Sequence, residues 1–181
     1  MTATKIPVRF VVLALMTMSS ACCVTATRPP SNISVALDRE ISQPSVRVHL
    51  VGVTDGDDLE RFNTKGLGLV DDWFKAGNLL RAAKERNNVV KEMILDKDKQ
   101  ATMVLAADNP IWANWEKYGA KWLVVLANLP ASKDEKDMKD TRICILPLDK
   151  KRWSDPITIS ITISPVGVPM HIVPTPKPAK D

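Results

Sequence analysis

Residues 121–129, KWLVVLANL, are the most continuously apolar stretch of the chain beyond its N-terminal leader. Read as a strand, they send Trp122, Val124 and Leu126 to one face and Leu123, Val125, Ala127 and Leu129 to the other. A strand that is apolar on both faces must be covered on both, so it belongs inside a sheet. One cover is expected to be a second sheet and the other a helix.

The segments around it supply the sheets. Residues 157–164, ITISITIS, set four Ile against Thr and Ser and carry the cleanest period-two signal. In 46–53, VRVHLVGV, Val46, Val48 and Leu50 share one face while Arg47 and His49 share the other. Further strands are predicted at 33–37 (ISVAL), 100–107 (QATMVLAA) and 141–148 (TRICILPL). Residues 89–95, VVKEMIL, read as a strand or as an extension of the helix before them. Residues 166–173 add an edge strand, because Pro169 lacks the N–H that a central position needs. Asp55 to Asp58, the Asp96–Asp98 stretch and Asp108-Asn109-Pro110 read as turns.

The period changes over 59–87. Leu69, Trp73, Gly77 and Leu80 recur at helical spacing, with Val70 and Phe74 beside them. Asp71 and Asp72 near the start, and Arg81, Lys84 and Arg86 near the end, suit a helix dipole. The sequence thus predicts a mainly β fold: a two-sheet β-sandwich with one amphipathic helix insertion.

The leader is MTATKIPVRFVVLALMTMSSACC, residues 1–23. Lys5 and Arg9 precede an apolar run from Phe10 to Met18 that is too short to span a bilayer, and small residues follow. This is the pattern of an export signal. Ser19-Ser20-Ala21 ahead of Cys22 resembles the lipobox of bacterial lipoproteins, with Ser19 where that pattern usually has Leu. The resemblance implies acylation of Cys22, which would anchor the chain in membrane lipid. Cleaved secretion without acylation is the alternative. Cys23 follows where Asp would signal inner-membrane retention, so the resemblance implies the periplasmic face of the outer membrane. The expected organisation is a signal peptide over 1–21, a lipid-anchored linker over 22–32, a sandwich domain over 33–173 and a Pro-rich tail over 174–181.

Composition narrows the function. The leader holds two of the 25 basic residues and no acid, so the formal charge of +4 falls to about +2 once it is removed, too balanced for a nucleic-acid binder. Three Cys, two of them at the processing site, make no disulfide framework; Cys144 reads as a small core residue, with a bridge to Cys23 as the alternative. His49 shares its face with Arg47 and reads as a solvated or hydrogen-bonded side chain rather than a base. Asp55, Asp57 and Asp58 lack calcium-loop spacing and a closing Glu. No phosphate-binding glycine loop, nucleophile elbow or paired-Cys metal spacing occurs. No catalytic residue, metal or cofactor is expected. The charge-mixed stretch 132–140 reads as a solvated loop.

Two recognition surfaces come forward. Arg39, Glu40, Ile41 and Ser42 lie in a polar loop, 38–45, between two strands whose faces are committed to the core. Trp112, Trp115 and Tyr118 lie in WANWEKYGAKW and either close one end of the sandwich or form an exposed platform for a ligand or glycan.

The order of segments resembles TssJ, the outer-membrane lipoprotein of the bacterial type VI secretion system. The parts that resemble it are Cys22, ISVAL, a polar loop, VRVHLVGV, a segment with Phe62 and Leu67, LVDDWFKAGNLL, KWLVVLANLP, KRWSDP and ITISITI. The family implies a transthyretin-like sandwich with a helical addition. It also implies a non-enzymatic assembly role, in which the loop after the first strand binds the periplasmic part of the inner-membrane protein TssM. Here that loop is shorter and lacks the usual Asn-Pro start.

Overall fold

The computed structural model describes residues 32–64, 68–131, 140–153 and 158–178. The predicted signal peptide, Cys22, Cys23 and almost all of the linker lie outside the described residues. So do Leu67, residues 132–139, residues 154–157 and the last three residues of the tail.

The apolar stretch forms β5, Trp122–Ala127, and it is an interior strand. Its sheet has the order β3-β2-β5-β6, where β2 is Ser45–Val53, β3 is Val90–Asp96 and β6 is Ile143–Pro147. All of its pairings are antiparallel. The facing sheet has the order β4-β1-β7-β8, with β1 at Asn32–Leu37, β4 at Thr102–Leu105, β7 at Thr158–Ser164 and β8 at Gly167–Val173. Here β1 runs parallel to β7, while its other neighbour, β4, is antiparallel. Two sheets of this kind make the predicted β-sandwich, with β8 on an edge, the position Pro169 requires.

The two faces of β5 are buried in two different clusters. Leu123, Val125 and Ala127 meet Ile33, Val35, Ile159 and Ile161 between the sheets. Val124 and Leu126 join Val51, Val53 and Ile143 beneath Phe62, Leu69, Val70 and Trp73 of a helical layer. The expected pair of covers, a sheet and a helical element, is therefore present.

The helical layer corrects one expectation. It is three short helices rather than one: α1 Asp57–Thr64, α2 Leu69–Phe74 and α3 Leu79–Arg86. Gly77 (φ 75°) adopts a left-handed backbone between α2 and α3, which no helix interior contains. Asn78 then restarts the chain by accepting the N–H of Arg81 at 2.8 Å. In sequence, Gly77 fits the apolar stripe; in the structure it is the break.

The aromatic stretch is a helix that the sequence reading left unassigned: α4, Ile111–Tyr118, which closes one end of the sandwich. Ile111, Trp112 and Trp115 are buried at i, i+1 and i+4, and Gly119 (φ 75°) ends the helix. The two indoles pack edge to face, 4.9 Å between centroids. Trp115 donates to the Val89 carbonyl at 2.8 Å and lies against Gly52, where any β-carbon would enter the ring. A larger residue at 52 would thus evict Trp115. The Pro-rich tail is fastened to the sandwich at Lys177, which donates its N–H to the Arg152 carbonyl at 2.6 Å and accepts from Arg152 Nε at 2.9 Å.

Candidate functional site

β1 and β2 belong to different sheets, so the chain between them crosses one end of the sandwich. Hydrogen bonds fix that crossing on both sides. Leu37 N–H donates to Ala101 and Asp38 N–H to Ile163, both at 2.8 Å. The Asp38 carboxylate accepts the Glu40 N–H at 2.9 Å, a local turn. Lys97, in the turn that leaves β3, donates its N–H to Pro44 O at 2.9 Å and its Nζ to Ile41 O at 2.8 Å. That turn is itself rigid, because Asp96 accepts the N–H groups of Asp98 and Lys99 at 3.0 Å each.

Within this frame the predicted loop residues separate. Ile41 is fully buried in the inter-sheet core. It is therefore a fastener and not a contact, which corrects the expectation that every side chain of the loop is free. Its signal was legible: a single branched apolar residue in an otherwise polar loop. Arg39, Glu40 and Ser42 are exposed. Asn32, the first described residue, lies at the opposite end of β1, where its side chain accepts the Ala107 N–H at 3.1 Å.

Beside the same end lies a constellation that sequence reasoning missed. Arg142 is 1% exposed, and all five of its N–H groups are used. Nε and one NH2 proton reach Asp140 at 2.9 and 2.8 Å. NH1 and NH2 reach Asp71 at 2.8 and 3.2 Å, and NH1 also reaches the Leu129 carbonyl at 3.0 Å. Burial alone would work against the charge, but hydrogen bonds and Coulomb attraction from Asp140 and Asp71 outweigh it and raise the Arg142 pKa. The hydrogen bonds from Arg142 hold the Asp71 carboxyl below its ordinary range. Asp140 was read as part of a solvated loop; it is buried. The network ties α2 to the ends of β5 and β6 and so couples the helical layer to the loop end.

His49 is buried as well, and hydrogen-bonded, between β2 and the helices. Trp73 Nε1 donates to its Nδ1 at 3.0 Å, and its Nε2 faces Glu92 Oε1 at 3.3 Å. Glu92 also pairs with Arg47 at 3.1 Å. Burial lowers the His49 pKa, against the raising influence of Glu92.

The alternative aromatic surface does not form. Trp112 and Trp115 are buried and Tyr118 is partly buried, its hydroxyl accepting from Lys84 Nζ at 3.0 Å. Trp112 and Trp115 therefore present no flat aromatic face to a glycan. Cys144 is a core residue, as predicted. Asp55 accepts from Lys121 and from Trp122 Nε1, closing the turn after β2. Among the described residues, no group of three or more His, Cys, Asp or Glu is arranged to hold a metal ion. Nor is any described helix long and apolar enough to cross a membrane.

These features define a β-sandwich with a helical layer on one sheet, presenting a fixed, charged loop at one end. No family model and no curated protein matches the sequence. Among solved structures, the chain is similar to one described as the T6SS protein TssM C-terminal domain (869-1107) from EAEC, with 14% identity, 80% of this chain and 97% of that chain covered, and a TM-score of 0.48. It is similar to a chain of a type VI membrane complex, with 15% identity, 79% and 96% covered, and a TM-score of 0.47. It is also similar to Lip of Serratia marcescens, a membrane-bound component of the type VI secretion system, with 15% identity, 81% and 99% covered, and a TM-score of 0.44.

Proposed function

We propose that this chain is a TssJ-like lipoprotein: a non-catalytic assembly component held at the periplasmic face of the outer membrane by acylated Cys22. It binds the periplasmic domain of a TssM-like inner-membrane protein through Arg39, Glu40 and Ser42. The observation that carries this reading is the fixed crossing between β1 and β2. A loop held by Ile41, Lys97 and backbone bonds on both sides loses little entropy on docking, so its exposed charges can be spent on recognition. Position supports it too. The tether from Cys22 enters at Asn32, and the six residues of β1 place the loop about 20 Å further from that point. Ten linker residues reach about 35 Å at full extension, so the loop can stand well clear of the bilayer.

Two expected results test this. Cys22→Ser abolishes lipid labelling and moves the protein from the membrane to the soluble fraction. Unchanged fractionation would count against acylation at this residue. Exchanging Arg39, Glu40 and Ser42 for Gly or Ser, with Ile41 kept, leaves the thermal melt in place. The same exchange weakens capture of a TssM-like periplasmic domain from the same organism by about tenfold, the loss of roughly one good contact. Ile41→Ala, by contrast, lowers the melt. Capture that survives the triple exchange sinks the loop as the interface.

A further inference from the structure

The hydrogen bond from Trp73 of α2 to His49 of β2 is defined by proton position. An indole N–H can only donate, so His49 Nδ1 must be bare and its proton must sit on Nε2, towards Glu92. In an imidazolium both ring nitrogens carry protons. Nδ1–H would then point at the Trp73 N–H, donor against donor, in a buried site. We propose that His49 is a pH-operated latch: proton uptake breaks its bond to Trp73 and raises the fraction of molecules in which α2 and α3 have lifted from β2.

The charged groups that face the ring are few. Glu92 on β3 favours the proton and is shared with Arg47 on β2. From α3, Arg81 opposes protonation and Glu85 favours it, and these two are paired with each other at 3.4 Å. Arg81 also donates to the Trp73 carbonyl at 3.0 Å, so α3 moves with α2. The surroundings from α2 are the Trp73 and Phe74 rings, with centroids 6.1 and 4.9 Å from the imidazole. Burial is the largest influence and lowers the pKa of the closed form. An opened molecule exposes His49 to water, where it titrates near 6.5.

The sign follows from linkage. The closed state has the lower pKa, so its advantage is complete above about 6.5 and shrinks as pH falls towards the closed-state value. Over that window the opening constant rises by up to about tenfold per pH unit. The layer is not expelled outright, because Phe62, Val70 and Trp73 keep their apolar contacts with β2 and β5. What changes is how often it opens. This inference does not depend on the secretion reading.

The test is native-state hydrogen exchange of the α2 and α3 amides on the intact protein between about pH 7.5 and 5, corrected for intrinsic exchange. Nitrogen NMR of the imidazole is followed in parallel. The expected result is a bare Nδ1 at neutral pH, and opening that rises with acid in α2 and α3 but not in β5. His49→Gln retains an acceptor for Trp73 and a donor for Glu92 yet cannot take a proton, so its corrected opening should not vary with pH. Trp73→Phe removes the opposing donor and should weaken the dependence, leaving the part that burial of His49 sets. An Nδ1 proton at neutral pH overturns the proposal. So does an acid response of His49→Gln equal to that of the wild type.

Discussion

Arg142→Ala is expected to destabilise the fold by about 3–5 kcal/mol, the usual cost of removing one partner of a buried ion pair. The reason lies in what stays behind. Asp140 keeps a fully buried carboxylate, and the Leu129 carbonyl loses the guanidinium donor. Asp71 is half exposed, so water takes over its share and it adds little. Arg142→Lys should not rescue, since an ammonium has three donors without the planar fork that serves two carboxylates and a carbonyl at once. The Asp71 contribution also has a pH sign. Its carboxyl is held low in the folded state, so that contribution is present above its ordinary value and fades as pH falls through the folded one. Urea melts of Arg142→Ala that shift by less than about 1 kcal/mol would show that the site relaxes without its charge.

Leu126→Ala should cost about 2–5 kcal/mol, because it empties the space between β5 and the helical layer. Val125→Ala, on the opposite face and between the sheets, removes two methyl groups and should cost about 2 kcal/mol. Sensitivity on both faces is the signature of a strand covered twice. Trp122 shares the Leu126 face but is only partly buried. Its indole N–H reaches Asp55 at 2.7 Å, and the Arg152 guanidinium lies 5.7 Å from the ring centroid. Trp122→Ala is therefore expected to cost less than Leu126→Ala. Denaturant melts that rank the two the other way would place the centre of the second cluster nearer the start of β5.

The candidate loop was visible in sequence as a polar crossing between two committed strands, and three of its four residues are exposed in the structure. The fourth, Ile41, needed the facing sheet to show its role. The aromatic stretch carried its answer in its spacing: Trp112, Trp115 and Tyr118 lie three apart, a helical interval. Whether that helix was buried depended on Gly52 and Val89, which are more than twenty residues upstream in sequence.

The sequence by itself determined which apolar residues face inward along the strands with the clearest pattern. Period-two alternation marked β2 and β7, and apolar character on both faces put β5 inside its sheet. These are local properties, set by the pleat and by the avoidance of water. It also excluded Pro169 from a central strand, through a missing N–H. Only the tertiary structure decided the rest. It broke the helix at Gly77, whose left-handed backbone is invisible in a stripe of apolar positions. It brought Arg142 onto Asp71, 71 positions away, and Trp73 onto His49, 24 positions away. Such contacts have no period. They form where two surfaces, each specified locally, are pressed together, and a buried charge or ring nitrogen then takes whichever partner the opposing element delivers.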